Sequence, residues 1–172
     1  MDDAVDAVLD AWRRERPDVD PWPVGVVGRI QRLSRLLTAE IQAFYRRHGL
    51  DNGEADVLTT LRRAGAPYEL TPGQLVRSSM VTSGAITKRI DRMVGKNLVE
   101  RRPDPADGRI VRIRLTRHGR RTMDDLYALH IANEARLLRG LDRHQADQLA
   151  GALRVLLVSL GDTSLLEYQE EL

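Results

Sequence analysis

Apolar residues recur at spacings of three and four along most of the chain, and only one stretch changes to strict alternation. Val5, Val8, Leu9 and Trp12 make the first helical stripe, across Asp2 to Arg16, and Pro17 stops it. Asp18 to Pro23 reads as a proline-bearing connection holding Trp22. Val24 to His48 follows as a long helix with Val27, Ile30, Leu33, Leu37, Ile41 and Phe44 on one side, ended by Gly49. Asp51 with Glu54 three residues on is a capping box, opening a helix through Val57, Leu58 and Leu61 towards Gly65.

The next stretch, Thr71 to Leu115, organises the rest. Thr71, Pro72 and Gln74 combine a cap, a proline start and a capping box, and Leu75 and Val76 supply the buried side of a short helix. A turn falls around Met80 to Thr82, and a second helix opens on Thr82 or Ser83 with Ile86, Ile90, Met93 and Val94 at helical spacing. After Asn97 the period becomes two: Val111, Ile113 and Leu115 point one way, Arg112 and Arg114 the other. Pro103 to Gly108 is dense in turn residues, with Arg109 just beyond. Helix, turn, helix and basic hairpin is the order of a winged DNA-binding module. Thr116 then caps a helix to about Leu138, with Met123, Leu126 and Leu137 expected inside. Asp142 with Gln145 opens a last helix carrying Ala146, Leu149, Leu153, Leu156, Leu157 and Leu160, closed by Gly161.

The expected fold is mainly α (α+β): a winged helix-turn-helix with long flanking dimerisation helices and an extra N-terminal helix. One domain of 172 residues is expected, comprising N-terminal helices (1–49), the DNA-binding region (51–121) and C-terminal dimerisation helices (122–172). The leucine- and valine-rich flanks exceed what one small module can cover, which favours a homodimer. Packing of the same stripes within one chain is the alternative.

Charge sharpens the picture. Thr71 to Arg121 holds thirteen basic residues against four acidic ones, a surplus of nine, so the formal net of +2 leaves the remainder at −7. A basic module in an acidic body fits a protein that meets phosphate through one surface, whereas a merely solvated basic face would imply no partner. There is no cysteine, which excludes disulfides and thiolate metal sites. No apolar run approaches the ~20 residues of a membrane span, and the acidic start MDDAVDAV is unlike a secretion signal, so a cytoplasmic protein without membrane contact is expected. Seven scattered aromatic residues argue for duplex rather than single-stranded DNA.

On the DNA side, Ser83, Thr87, Lys88 and Arg92 are candidates for the major groove, and the small Ser83, Gly84 and Ala85 allow close approach. Arg109 at the hairpin tip suits a narrow minor groove or a phosphate equally. A two-fold dimer would set its two reading helices ~34 Å apart on a palindromic operator. Catalysis has no support: there is neither a phosphate-binding glycine loop nor a nucleophile elbow, and the four histidines are far apart. No cofactor is expected. His130 and Glu134, one turn apart, could share a metal or simply form a solvated pair.

The segment LTPGQLVRSSMVTSGAITKRIDRMVGKNLVERRPDPADGRIVRIRLTRHG, with its helical flanks, resembles the MarR (multiple-antibiotic-resistance regulator) family of winged-helix repressors. The resemblance runs from about Val24 to Gly161 and is most specific in SGAITKRIDRMVGKNLVERRPDPADGR and in the RLTRHG step. It implies a homodimer, a palindromic operator and relief of repression by a small molecule. The extra first helix with Trp12, together with Asp56, Arg63 and Arg89, is similar to the urate-responsive regulator subgroup and implies ligand roles for those four residues. An anion held by Arg63 and Arg89, a urate-like purine or a carboxylic acid, would then engage the body and the reading helix together. The simpler alternative is an ion pair from Asp56 to Arg89 or Arg63, with Trp12 in the core. Two other functions stay open: an architectural DNA-binding protein without an effector, and a metal-sensing regulator.

Overall fold

A computed structural model describes residues 2–78 and 86–163. Its elements are α1 (Ala4–Glu15), α2 (Trp22–Arg47), α3 (Asn52–Arg63), β1 (Glu69–Leu70), α4 (Pro72–Ser78), α5 (Ile86–Gly95), β2 (Val99–Pro103), β3 (Val111–Leu115), α6 (Arg117–Leu137) and α7 (Arg143–Ser159). The chain divides into two compact units, residues 1–43 and residues 44–172. No helix among the described residues is long and apolar enough to cross a membrane.

In the first unit, Asp3 caps α1 through a capping box with Asp6. Arg29 on α2 reaches both carboxylates, at 2.8 Å and 2.6 Å. Val5 and Leu9 are buried where Gly28 and Gly25 leave room on α2. The expected stripe is only half covered, because Val8 and Trp12 on its other edge are exposed. Trp22 and Pro23, expected in a connection, instead form the first turn of α2. Proline is compatible with that position because the amide it lacks has no partner in the first turn. Val27 and Leu33 on the expected α2 stripe are also exposed.

The second unit is built around α3. Gly49 adopts φ 75°, and the bonds Leu50 N–H to Tyr45 O and Gly49 N–H to Arg46 O close the end of α2 in a Schellman turn. The capping boxes at Asp51–Glu54, Thr71–Gln74 and Asp142–Gln145 all form. Val57, Leu58 and Leu61 on α3, Leu75 on α4, Ile90 and Met93 on α5, Ile113 on β3 and Met123 on α6 make a closed core. β2 and β3 pair antiparallel in the register Val99↔Leu115 to Pro103↔Val111. A third strand, β1, adds to the other edge of β3 with Leu70 opposite Ile113, giving the order β1-β3-β2. The sequence pattern shows only the hairpin, since two residues are too few to display an alternation. Leu126 is buried as expected, while Leu137 is only half-buried. On α7 no residue is buried.

Candidate nucleic-acid interface

α5 turns Ile90 and Met93 into the core, so at 100° per residue its opposite face is centred on Lys88, with Thr87 at the edge of that face. Both are exposed. Among the described residues Lys88 has no carboxylate partner. The flanking charges hold the helix in place. Asp91 accepts from Arg101 of β2 at 2.7 Å, and Arg92 donates to Asp51 at 2.8 Å. Lys96 pairs at 2.7 Å with Glu54, which is 1 % exposed, and donates to the Gly49 carbonyl. α5 is therefore clamped to the start of α3 on one side and to the wing on the other. Arg92 would have to leave Asp51 to enter a groove. Ser83 lies outside the described residues, as do the Met80–Thr82 turn and the Gly84–Ala85 approach.

The wing loop is ordered by Asp104. Its buried carboxylate accepts from the amides of Ala106 and Asp107 and from Arg112. The Ala106 amide first, and Arg112 next, hold this carboxyl below its ordinary value of 3.8. Arg109 projects from the loop, exposed, and its guanidinium has no carboxylate partner among the described residues; its amide bonds Asp107. Lys88 and Arg109 thus present charge outward while their neighbours neutralise one another.

The four residues assigned to a ligand are placed as follows. Trp12 belongs to the first unit, and the other three belong to the second. Arg63, the last residue of α3, donates to the carbonyl of Ser78 at the end of α4, at 2.7 Å. Arg89 is half-buried, with its guanidinium packed over Gly53 in the first turn of α3; a Cβ on Gly53 would meet Arg89 Cζ at 2.3 Å. Its Nε is buried without a hydrogen-bond partner. At Asp51 burial raises the carboxyl pKa, but the Glu54 amide, Arg92 and Arg89 outweigh it and the net shift is downward. Gly53 and Arg63 are ten residues apart, or ~15 Å along the helix axis, so the two arginines act at opposite ends of α3. Asp56, half-buried between Gly53 and Arg63 on α3, adds to burial and Glu134 in pushing Tyr45 up to about 12. Glu134 also lies 3.2 Å from His130 Nε2, whose ring stacks on Tyr45.

A family model described as MarR family matches residues 48–110. The HTH-type transcriptional regulator PecS of Dickeya dadantii is 33% identical over 149 residues, covering 87% of this chain and 90% of that protein. The chain belongs to the MarR family. Solved members share the fold: AbsC of Streptomyces coelicolor superposes with a TM-score of 0.71 at 23% identity, over 83% of this chain and 96% of that one. Wild-type apo MarR of E. coli superposes with a TM-score of 0.64 at 26% identity, over 76% and 95%. The protein is accordingly a DNA-binding transcription regulator, and proteins of this family are regulators rather than enzymes.

Two residues that position this interface escape a reading by pattern. Gly53 makes space for Arg89. Gly119, in the RLTRHG step, lets the first turn of α6 dock on the α5–β2 turn, where a Cβ would lie 1.9 Å from the Leu98 carbonyl oxygen. Thr116 completes that junction by donating to the Asn97 carbonyl while capping α6. Asp104 was visible only as a turn residue. A glycine inside a helix's first turn is the signal that finds Gly53 and Gly119, because it costs helix stability unless something approaches closely.

Proposed function

We propose that the protein is a repressor that binds a palindromic operator as a homodimer and is released from it by a small anionic ligand. The observation that carries the dimer is α7. Leu149, Leu153, Leu156 and Leu157 are each more than a third exposed, and no residue of this helix is buried among the described residues. Pairing with a second copy would cover it and place two α5 helices ~34 Å apart, matching half-sites one turn apart. A mutant MarR of E. coli has been solved in complex with operator DNA, which supports duplex DNA as the target. Thr87 and Lys88, with Ser83, are the groove readers in this reading, and Arg109 is the wing's contact.

For release, the supporting geometry is that Arg63 holds the end of α4 and Arg89 holds α5, both to α3. An anion that recruits these guanidiniums withdraws both tethers from the helix-turn-helix, so ligand affinity differs between the DNA-competent and released forms. Trp12 and Asp56 are the further ligand residues by similarity to the urate-responsive subgroup, with a urate-like purine or an organic acid as effector. In Bordetella bronchiseptica, DNA binding by BpsR is regulated by 6-hydroxynicotinic acid, an anionic heteroaromatic acid of the same chemical kind. The test is a DNA-release assay against urate, xanthine and aromatic acids. Release by one of them, abolished in Arg89→Ala and Arg63→Ala, is the expected result; unchanged release in both variants overturns the effector site. Sedimentation of a monomer at micromolar concentration overturns the dimer.

A further inference from the structure

A second cluster of arginines, which includes neither Arg63 nor Arg89, lies at the base of the wing. There the end of β3, the start of α6 and Tyr68 line a half-open cavity of about 430 Å³. Arg114, Arg117, Arg120 and Arg121 line it, against the single carboxylate of Asp124. That carboxylate is already engaged: it accepts from Arg62 at 2.6 Å and lies 3.7 Å from Arg120. Arg62 and Arg120 also both stack over the Tyr68 ring, at 5.2 Å and 5.1 Å. Among the described residues no carboxylate lies within ion-pair distance of Arg114, Arg117 or Arg121.

We propose that this cavity is a binding site for a small, multiply charged oxyanion such as a phosphate ester. Unmatched like charges around one cavity repel, and an anion carrying two or more charges relieves that repulsion while each guanidinium fork offers paired N–H donors to its oxygens. A lone ammonium would offer neither the planarity nor the pairing. The volume falls within the range of small-molecule sites and exceeds what an inorganic phosphate fills, leaving room for an organic group beside Leu115 and Tyr68. The polar lining suits a charged ligand better than an apolar one. The site also differs in place from the DNA contacts. β3 leaves the wing tip at Val111 and reaches the cavity at Leu115, ~13 Å further on, so the cluster sits at the opposite end of that strand from Arg109. An occupant would join β3 to α6 and thereby stiffen the base of the wing. The proposal is independent of the Arg63 and Arg89 reading, because none of the four lining arginines takes part in it.

The probe is inorganic pyrophosphate, titrated calorimetrically into the full chain at low salt without DNA. The wild type should bind with an affinity that falls as salt rises, and Arg117→Ala/Arg121→Ala should weaken binding ~10-fold or more. Both side chains are exposed, and circular dichroism verifies that the variant folds. Arg117→Lys/Arg121→Lys, which keeps charge but loses the fork, should fall in between, whereas Arg143→Ala, on the exposed surface of α7, should bind as the wild type does. Absence of binding by the wild type, or equal binding by the double alanine variant, overturns the site. A double alanine variant that also loses operator affinity with a shallower salt dependence identifies these arginines as DNA-backbone contacts and likewise overturns it.

Discussion

The winged module and α7 are made of similar material and end in opposite situations. In the module, Leu58, Leu61, Leu75, Met93 and Ile113 are all at 0% exposure. On α7, an equally leucine-rich helix, no residue is buried, and Val155 on it and Leu160 just past its end reach 72% and 74%. The difference shows that apolar periodicity specifies which face of a helix wants cover without specifying what supplies it. The helices α4, α5 and α6 and the strand β3 pack on α3, so the module completes itself within one chain. α7 has no buried residue among the described residues, and in the proposed dimer a second copy would cover it.

The largest effect that would sharpen this contrast comes from α7. Burying a leucine is worth about 1.5–3 kcal/mol, and two-fold symmetry counts each substitution twice. Leu153→Asp/Leu157→Asp should therefore raise the dimer dissociation constant ~100-fold or more, measured by sedimentation, while the module's fold persists. Next is the module's own closure: Gly119→Ala drives a Cβ into the Leu98 carbonyl and should cost about 1–3 kcal/mol in urea unfolding without changing the dimer constant. A stability equal to wild type would show that the α6 junction is loose.

Smaller effects separate cations proposed to face DNA from cations that clamp. Lys88→Ala should cost ~1 kcal/mol or more of operator affinity and leave stability unchanged. Arg92→Ala should remove a half-exposed pair with Asp51, at most ~1 kcal/mol of stability. If Arg92→Ala instead harms only operator affinity, the clamp opens on DNA. Arg109→Ala should lower affinity without moving the footprint's centre and reduce the salt slope by ~1. The smallest effect concerns acid. Because Asp104 has a lowered pKa in the folded wing, its contribution is full above 3.8 and is lost as pH falls through the lower folded value. Asp104→Asn should remove that acid-side loss in a stability–pH titration.

Much of this protein is legible without coordinates because it is written locally. A capping box needs a side chain and an amide three residues apart, so Asp51–Glu54, Thr71–Gln74 and Asp142–Gln145 could be placed from spacing alone. The alternation that marks Val111 to Leu115 is equally local. Trp22 was misplaced because a proline beside it reads as a break, although proline also fits a helix's first turn. β1 was invisible because its two residues owe their strand geometry to β3.

Tertiary structure decided the rest, and charge shows why most plainly. Sequence alone establishes that Lys88, Arg89, Arg92 and Lys96 share one helix and that a surplus of nine positive charges surrounds it. Which of them face outward depends on α3: Asp51 and Glu54 take Arg92 and Lys96, Gly53 receives Arg89, and Lys88 is left to solvent. Those partners lie 36 to 42 residues away along the chain, and no local periodicity encodes a distance of that kind. Hydrophobic period and caps are near-neighbour properties of a chain, whereas the pairing of charges is a property of surfaces that meet only after folding.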